Sequence, residues 1–428
     1  MMAASIEYDE GLAGLGDITM NVINTKLNEY VRKSNRYFSI MIDATSECQL
    51  GCPYCYFGQK GHRHMDPHKV EEALLAFAEA IGPGASDRLH ITYMGGEPLL
   101  AWEQIKEVEK RLHNIESKFG INVTWGMTTN LIGLTPEIAE HMIKSHANLH
   151  CSVDGPKDIQ NRNRPMKKSY GDKQYDLTDK IRLALSVTPN DYVRATVRPA
   201  DAKRLDEISA YIFSTGAKNV ALFPETGPLS KWGTQDIQDW KNAIRRTVEN
   251  LGDGQDIDTI IKKKKGDPNK HTYCGAGVTL WAIDIDGNLQ GCHHLTNNND
   301  YQGFPPNGEL RENMLQLEVP VKKHNDCRGC PAAAYCTGSC WAENLLDRSS
   351  VAEPDIAQCA LKVATLEALH ETDFVQQHDA QPAECGCQCY IGCHSCEGSC
   401  MSTCSSCDSC DSCQGGQCSD DYNCGEYG

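Results

Sequence analysis

The chain has 428 residues, long enough for one large domain with smaller attachments. Its net charge of −17 argues against binding nucleic acid, which needs a basic surface to displace counterions. No apolar run approaches the roughly eighteen residues of a membrane span, and the acidic first residues lack the basic and apolar regions of a secretory signal. The sequence therefore predicts a cytoplasmic protein.

Strand and helix patterns alternate from residue 37 onward. Strands are predicted at 37–45, 89–94, 121–130, 149–155, 192–199 and 219–225, and helices at 68–81, 101–115, 135–145, 176–187, 204–216 and 236–251. Strands that alternate with helices form parallel sheets, and six such units are too few to close an eight-stranded barrel. The sequence therefore predicts an α/β fold, a partial (β/α)6 barrel over 37–251 that follows an N-terminal lead of residues 1–36.

The periodicity changes after residue 251. Two short apolar runs around an Asp-Gly-Asn sequence predict a hairpin within 278–292. A helix is expected over 361–378, and the residues after it hold too few apolar side chains to fold alone. The predicted divisions are a linker at 252–273, a small loop-rich α+β domain at 274–365, a helical linker at 366–384 and a disordered Cys-rich tail at 385–428.

Twenty-three cysteines fall into two groups, eleven in the first 359 residues and twelve in the tail. In a cytosolic enzyme such spacings favour metal or cluster ligands over disulfides. Cys48, Cys52 and Cys55 directly follow the first predicted strand, and three thiolates can bind three irons of a [4Fe–4S] cluster and leave the fourth iron open. A structural zinc site is the alternative, but it needs four ligands, and His62 and His64 are badly placed to complete it.

This cysteine triplet resembles the CxxxCxΦC motif of the radical S-adenosylmethionine (SAM) superfamily, with Tyr54 at the aromatic position. Gly95-Gly96-Glu97, after the second strand, is similar to the family segment that meets the amino group of SAM. Glycines allow close approach of the backbone, and a carboxylate pairs with an ammonium. The resemblance implies further site residues near later strand ends. Asn130, Ser152 and Arg164 are expected as SAM contacts, and Asp154 is a candidate acid or base. For each of them a plain turn or a surface charge is the alternative.

The resemblance also implies the chemistry. An electron enters the cluster, SAM is cleaved reductively, and the resulting 5′-deoxyadenosyl radical abstracts hydrogen from an unactivated C–H bond. The cluster and SAM supply the reaction, while the protein positions them and excludes solvent. An electron donor of the flavodoxin or ferredoxin type is expected as a partner.

Seven later cysteines follow the spacing of the SPASM extension of this family, which holds two auxiliary clusters; a zinc ribbon is the alternative. By resemblance, one [4Fe–4S] cluster would be bound by Cys327, Cys330, Cys336 and Cys359, and the other by Cys274, Cys292 and Cys340. The expected total is three [4Fe–4S] clusters. Two auxiliary cubes have eight corners, so one iron lacks a motif ligand. A thiolate from a substrate could bind there, because cluster irons favour sulfur.

The residue after the second SPASM cysteine bears on the reaction. Sulfatase maturases of the family carry an aspartate there, where this chain has His293. An imidazole can act as a base, so His293 is a candidate catalytic residue, but the departure counts against that activity. Relatives with an open auxiliary iron tend to join a peptide cysteine to a carbon atom. The resemblance therefore favours a maturase that forms thioether crosslinks in a Cys-rich peptide.

The tail resembles the precursor peptides of such enzymes. It is rich in Cys, Ser and Gly and contains the repeat SCDSCDSC, and from Val363 onward the chain has eleven Asp and Glu but no Lys or Arg. Tethering would hold the tail near the active site at roughly millimolar effective concentration, so one hypothesis makes it the substrate of its own chain. In the alternatives it supplies the missing cluster ligand or only scavenges metal.

Two other functions stay open. One is a maturase that modifies a separate protein by dehydrogenation, epimerisation or carbon–carbon crosslinking. The other is a thiol-rich metal-binding or electron-transfer protein that does not turn over SAM. Formation of 5′-deoxyadenosine under reducing, anaerobic conditions would separate either enzyme from the last possibility.

Overall fold

A computed structural model describes the main body of the chain. It covers residues 37–58, 60–82, 88–227, 230–261, 274–296, 301, 303–310, 314, 330–332, 335–336, 340–348, 355–372 and 374. The predicted lead at 1–36, the ligand candidate Cys327 and the tail at 385–428 lie outside these residues.

The described residues form one nine-stranded sheet. Its strands are β1 (Tyr37–Thr45), β2 (Arg88–Gly95), β3 (Asn122–Thr129), β4 (Asn148–Ser152), β5 (Tyr192–Val197), β6 (Asn219–Pro224), β7 (Asp256–Asp258), β8 (Leu280–Ile283) and β9 (Leu289–Gln290). The order across the sheet is β7-β6-β5-β4-β3-β2-β1-β8-β9. All neighbouring pairs are parallel except β8 and β9, which are antiparallel. The sheet is not closed, which confirms the predicted partial barrel.

Helices connect the strands. They are α1 (Pro67–Ile81), α2 (Trp102–Glu109), α3 (Leu112–Phe119), α4 (Pro136–Lys144), α5 (Lys157–Asn163), α6 (Thr178–Val187), α7 (Leu205–Ser214), α8 (Thr234–Glu249), α9 (Trp341–Arg348) and α10 (Ile356–Glu371). The start of α1 shows the local logic, because the Asp66 side chain accepts from the His68 N–H and Pro67 occupies the first helical turn. Within the described chain, no helix is both long and apolar enough to cross a membrane.

Alternation along the strands separates two faces of the sheet. In β1, Phe38, Ile40 and Ile42 are buried against the helices, and the Phe38 ring lies 5.7 Å from that of Phe77 in α1. The intervening residues of each strand lie on the opposite face, called the inner face below. On that face Met41 packs against a second, smaller apolar cluster that contains Cys292. The main core therefore lies between sheet and helices, and the inner face is left for the site.

Four features differ from the elements predicted from the sequence. The predicted helix over 101–115 is two helices, α2 and α3, and α5 was not predicted. Residues 256–258, assigned to a linker, form β7, which pairs with β6. The predicted hairpin is present as β8 and β9, but β8 also joins the main sheet beside β1.

The last helix belongs to the main body. The predicted boundary at residue 365 falls inside α10, which begins five residues earlier than expected at Ile356. The indole N–H of Trp240 in α8 donates to the Thr365 hydroxyl at 2.8 Å, and Lys241 pairs with Glu367 at 2.8 Å. Packing against α8 therefore decides where α10 lies. Cys151, expected as a core thiol, is buried in β4, and burial raises its pKa to about 12.

Candidate active site

The loop between β1 and α1 carries the first cysteine triplet, and the end of β2 holds it in place. The Gly96 N–H donates to the Thr45 carbonyl at 2.7 Å, and the Glu97 N–H donates to the Glu47 carbonyl at 2.8 Å. A Cβ atom on Gly96 would lie 2.1 Å from the Glu47 carbonyl oxygen, and one on Gly95, whose φ is +105°, would lie 2.6 Å from that of Thr45. A side chain at either position would therefore collide with the backbone that leads into the cysteine loop, so both positions require glycine.

The three thiols share one electrostatic environment. Cys48 is buried, and its sulfur accepts from the Leu50 N–H at 3.4 Å. Burial would lower the pKa of the Lys60 ammonium, but the neighbouring Cys55, Cys48 and Cys52 thiols raise it above its ordinary value. The Lys60 ammonium also donates to the Leu50 carbonyl at 3.2 Å. A cation thus stands beside all three candidate ligands.

This geometry fits a cluster better than a single ion. Cys48, Cys52 and Cys55 form no disulfide. Among the residues that the structure describes, no three His, Cys, Asp or Glu side chains converge to hold one metal ion. Thiolates that bind a [4Fe–4S] cluster each bind a different iron, so they surround a cube instead of meeting at a point. Cys48, Cys52 and Cys55 could hold such a cluster, with Lys60 offsetting part of its negative charge.

The Glu97 carboxylate lies behind this loop and is 1% exposed. One of its oxygens accepts from the Thr129 hydroxyl at 2.5 Å and from the Leu99 N–H at 3.1 Å, and the other accepts from the Asn130 N–H at 2.9 Å. Burial raises its pKa, against the effect of these hydrogen bonds. The residue predicted to contact SAM therefore also ties the ends of β2 and β3 together.

Asn130, the next predicted residue, continues this network. Its side-chain amide lies 3.9 Å from the Cys48 sulfur, and its oxygen accepts from the Ile132 N–H at 3.0 Å. The Gln49 amide also reaches that oxygen at 3.5 Å. Asn130 therefore lies directly against the cysteine loop, as its predicted role requires.

Tyr54, Asp154 and Arg164 form a buried cluster. The Asp154 carboxylate is fully buried and accepts from the Arg164 guanidinium at 2.9 Å, from the Thr196 N–H at 3.1 Å and from the Tyr54 hydroxyl. The guanidinium also stands 5.5 Å from the centre of the Tyr54 ring. Burial raises the pKa of Cys52 to about 11, although the Arg164 charge acts in the opposite direction. This cluster pins the loop to the end of β4, and Asp154 is too fully paired to be a ready proton acceptor.

A second set of thiols lies across the inner face. Cys292 is buried, and burial followed by the effect of Cys274 raises its pKa to about 12. Burial also raises the pKa of Cys340 well above its ordinary value, with Cys292 and Cys274 adding to the effect. These three cysteines, the set assigned to one auxiliary cluster, are therefore neighbours. Of the other set, Cys330 and Cys336 pack against the main core, and Cys359 lies in α10.

The side-chain rings of Tyr56, His293 and His294 lie between the first cysteine triplet and the region of Cys292. Tyr56, which follows Cys55, stacks on His294 with ring centres 4.7 Å apart and planes 7° apart. The His293 ring meets the edge of Tyr56 at 5.0 Å and that of His294 at 4.4 Å. Burial, followed by the His294 and Arg194 charges, lowers the pKa of His293 well below its usual range. The candidate base is therefore held neutral, and its main contact is aromatic.

Residues 42–192 match the family described as the Radical SAM superfamily. The match spans β1 to the start of β5 and contains the cysteine loop, the Gly-Gly-Glu segment and the Asp154 cluster. This part of the chain is therefore similar to the radical SAM superfamily. A radical SAM enzyme uses a [4Fe–4S] cluster and SAM, and the cysteine loop is the part of this chain that suits them.

Relatives extend beyond the radical SAM region. The cysteine-type anaerobic sulfatase-maturating enzyme of Clostridium perfringens is 26% identical over 334 residues, which cover 69% of this chain and 86% of that enzyme. The serine-type anaerobic sulfatase-maturating enzyme of Klebsiella pneumoniae is 22% identical over 316 residues, covering 68% and 78%.

Two solved structures share the fold. The structure of anSMEcpe with bound AdoMet has a TM-score of 0.64 at 17% identity and covers 80% of this chain and 99% of its own. Streptococcus suis SuiB bound to precursor peptide SuiA has a TM-score of 0.54 at 15% identity, with 83% of each chain covered. The shared architecture therefore reaches past the strands of the radical SAM match.

Several residues of this radical SAM site were not predicted. Asp43, near the end of β1, is 2% exposed, and burial, together with Asp284, raises its pKa to about 7 against a hydrogen bond from Thr296. The sequence did contain a signal for Asp43, because an acidic residue inside the apolar run YFSIMIDAT is unusual. Lys60 and Tyr56 had no such signal, because only the folded loop brings them to the cysteines. Ser152, which was predicted, ends β4 and pairs in register with Arg194 of β5.

Proposed function

We propose that this radical SAM enzyme is a peptide maturase that forms thioether crosslinks in a Cys-rich peptide. Cys48, Cys52 and Cys55 would hold the SAM cluster. When bound, the cluster and SAM supply the radical that removes a hydrogen atom from the peptide. The observation that carries the radical part of the proposal is the cysteine loop, locked to the Gly-Gly-Glu segment by two backbone hydrogen bonds.

The remaining SAM contacts are proposed from their positions. Gly95 ends β2 beside the loop, Gly96 and Glu97 come directly after it, and Asn130 follows β3. One oxygen of Glu97 has a single internal donor, so it can still accept from an ammonium. Ser152 lies at the end of β4, where barrel enzymes place their ligand contacts. Tyr54 and Arg164 would act by orienting the loop.

A peptide substrate is supported by the relatives. Two sulfatase-maturating enzymes align with more than two thirds of this chain, and SuiB has been seen with a precursor peptide. The thioether product is supported by the second thiol set. Cys274, Cys292 and Cys340 are three neighbours where a cubic cluster has four irons, which would leave one iron for a peptide thiolate. The other set, completed by Cys327, would hold a second auxiliary cluster.

The proposed reaction balances as follows. An S–H and a C–H bond are lost and one C–S bond forms. A hydrogen atom would leave the carbon through the radical chemistry that SAM supplies, and the thiol proton would leave to a base or solvent. The remaining electron has to leave toward an acceptor, and a flavodoxin or ferredoxin remains the predicted class of redox partner. Each crosslink lowers the peptide mass by two hydrogen atoms.

Mass spectrometry of the full-length, anaerobically reconstituted protein tests this proposal. After addition of SAM and reductant, we expect 5′-deoxyadenosine and a tail that has lost two hydrogen atoms per crosslink. An unchanged tail, with loss of the same mass from a Cys-rich peptide supplied separately, would keep the reaction and remove the tail as substrate. Absence of 5′-deoxyadenosine with every substrate would contradict the enzyme proposal itself.

A second candidate is a maturase that oxidises a residue of a separate protein, as the names of the sulfatase-maturating relatives suggest. Their alignment with 68–69% of this chain favours it. His293 stands against it, because its neutral, ring-packed imidazole replaces the aspartate expected in those enzymes. Conversion of a Cys or Ser to an aldehyde in a sulfatase peptide would establish this alternative.

A further inference from the structure

A basic segment of the chain lies against the cysteine loop. Residues 165–173, called the lysine segment below, read PMKKSYGDK and carry three lysines against one aspartate, in a chain whose net charge is −17. The Gly51 N–H donates to the Pro165 carbonyl at 2.8 Å, and the Lys167 N–H donates to the Gln49 carbonyl at 2.9 Å. The lysine segment is therefore hydrogen-bonded to the loop between the first two cysteines of the triplet.

Side chains also hold the lysine segment on the loop. The Tyr170 hydroxyl donates to the Glu47 carboxylate, which lies 3.0 Å from a ring nitrogen of His62. A Cβ atom on Gly51 would lie 3.7 Å from the Lys167 Cγ, at ordinary van der Waals distance, so the stem of this lysine passes over the loop. Glu47 is thus matched by hydrogen-bond partners other than the lysines.

The lysine charges are not neutralised within the main body. Lys168 and Lys173 are exposed, and Lys167 is half-buried. None of the three forms an ion pair with another residue that the structure describes. Like charges held close together repel one another, and a partner of opposite charge relieves that repulsion. Such a surface suits an acidic protein, because complementary charge steers the encounter and fixes the orientation of the complex.

Little of the chain covers the cysteine loop at this point. Gly51 and Pro53, which flank Cys52, are exposed, and Cys52 itself is partly exposed. Electron transfer between proteins slows steeply with distance, so a donor has to dock where the cover is thin. We propose that the lysine segment, with Gly51 and Pro53, is the docking surface for an acidic protein that delivers single electrons to the SAM cluster. The proposal rests on the proposed function, whose reaction begins with such an electron.

The chain's own tail, residues 385–428, is the other acidic candidate for this surface, since it contains no Lys or Arg. The proposed function places the reacting thiol of a peptide beside Cys274, Cys292 and Cys340, whereas the lysine segment contacts the loop of the SAM cluster. The position of the lysines therefore favours the electron donor. In the docked complex the donor loses one electron and the enzyme gains it, and no bond forms or breaks.

Binding and turnover of the full-length, anaerobically reconstituted enzyme test this surface separately. A purified acidic flavodoxin is titrated into the enzyme by calorimetry, at low salt and at about 1 M salt, where charges are screened beyond about 3 Å. Formation of 5′-deoxyadenosine is then compared between reduced flavodoxin and reduced methyl viologen, a small cationic donor. The variants are K167Q/K168Q and K168E/K173E, the second of which leaves the lysine stem over Gly51 in place.

At low salt both variants should bind flavodoxin about 2-fold to 30-fold more weakly than the wild type, the effect of losing about two exposed ion pairs. Formation of 5′-deoxyadenosine at limiting flavodoxin should fall by a similar factor, while the rate with methyl viologen stays at the wild-type value. At about 1 M salt the difference in binding should vanish.

The matched control is K118Q/K218Q, which removes two positive charges at the other end of the sheet. Lys118 precedes β3 and Lys218 precedes β6, whereas the cysteine loop follows β1. This double variant should bind flavodoxin and turn over with either donor as the wild type does.

Three results would overturn the proposal. Equal binding of flavodoxin by the wild type and both variants, or wild-type binding that is absent or insensitive to salt, would remove the docking surface and leave the thioether reaction standing. Tighter binding or faster flavodoxin-driven turnover in the variants would mean that the acidic tail covers the lysine segment. Loss of the methyl viologen rate in both variants would assign the lysines to the cluster site itself. Absence of 5′-deoxyadenosine from the wild type with methyl viologen would instead contradict the proposed function, and the binding data would still decide the docking surface.

Discussion

Replacing Gly96 with alanine tests whether the Gly-Gly-Glu segment holds the cysteine loop. The added Cβ would lie 2.1 Å from the Glu47 carbonyl oxygen and 2.6 Å from its carbon, so β2 and the loop must separate by about 1 Å. The hydrogen bonds from Gly96 to Thr45 and from Glu97 to Glu47, now 2.7 and 2.8 Å, would then exceed hydrogen-bonding distance.

The cost follows from these contacts. Two backbone hydrogen bonds of about 0.5–1.5 kcal/mol each, added to overpacking of about 1–3 kcal/mol, give a destabilisation of about 2–6 kcal/mol. The apparent melting temperature should fall by about 2–7 °C in a chain of this size. The displaced loop should also bind SAM more weakly, because the candidate ligands and the candidate SAM contacts move apart.

Calorimetry and SAM titration of the reconstituted enzyme measure both effects. Gly308→Ala is the matched control, since a Cβ at Gly308 would meet nothing within 4 Å. G96A should melt well below wild type and bind SAM more weakly, while G308A should match wild type in both. The reasoning is refuted if G96A melts within the range of G308A and retains its SAM affinity.

The remaining predictions concern buried and charged groups around the same loop. D154N should destabilise the protein on the order of 3 kcal/mol in urea unfolding, because it leaves Arg164 as an uncompensated buried charge. Burial raises the pKa of Asp43 to about 7, so the folded state keeps this proton at pH values where the unfolded state has lost it. The free energy of unfolding of the wild type therefore falls as pH rises toward 7. The stability of D43N relative to wild type should rise between pH 5.5 and 7 and stay constant above pH 7. K60M removes the cation beside the three thiols, so a redox titration of the loaded SAM cluster should show a midpoint lower by tens of millivolts.

Each of these changes has a control and a contradicting result. D179N removes one partner of the exposed Arg182–Asp179 pair and should cost at most about 1 kcal/mol; an equal cost for D154N would mean that its ion pair contributes nothing special. A D43N stability difference that stays constant between pH 5.5 and 8.5 would show that Asp43 does not titrate there. K144M, on the outer surface of α4, should leave the cluster potential unchanged, and an unchanged potential in K60M as well would remove Lys60 from the site.

Much of the site was predictable because its residues are neighbours in the sequence. The spacing of Cys48, Cys52 and Cys55 after a buried strand, followed by Gly-Gly-Glu after the next, places both segments at the same edge of a parallel sheet. Parallel pairing of β1 with β2 brings them into contact whatever the rest of the chain does. The Asp-Gly turn likewise predicted the hairpin of β8 and β9.

Other features came only from the fold. The glycines serve the contact between β2 and the cysteine loop, which no local pattern reports. The addition of β8 beside β1 carries Cys292 and its two histidines to Tyr56. The docking of α10 on α8 places Thr365, at the predicted boundary, in contact with Trp240.

The amino-acid sequence by itself determined the radical SAM resemblance, the alternating fold and the cysteines available as ligands, since each depends on spacing within one segment. Tertiary structure alone decided that Lys60 faces three thiols, that Asp154 is paired with Arg164 and that Tyr56 stacks on His294. Alternation along a strand determines which face of the sheet a side chain occupies. The partner it meets on that face depends on strand order and on loops far away in the sequence.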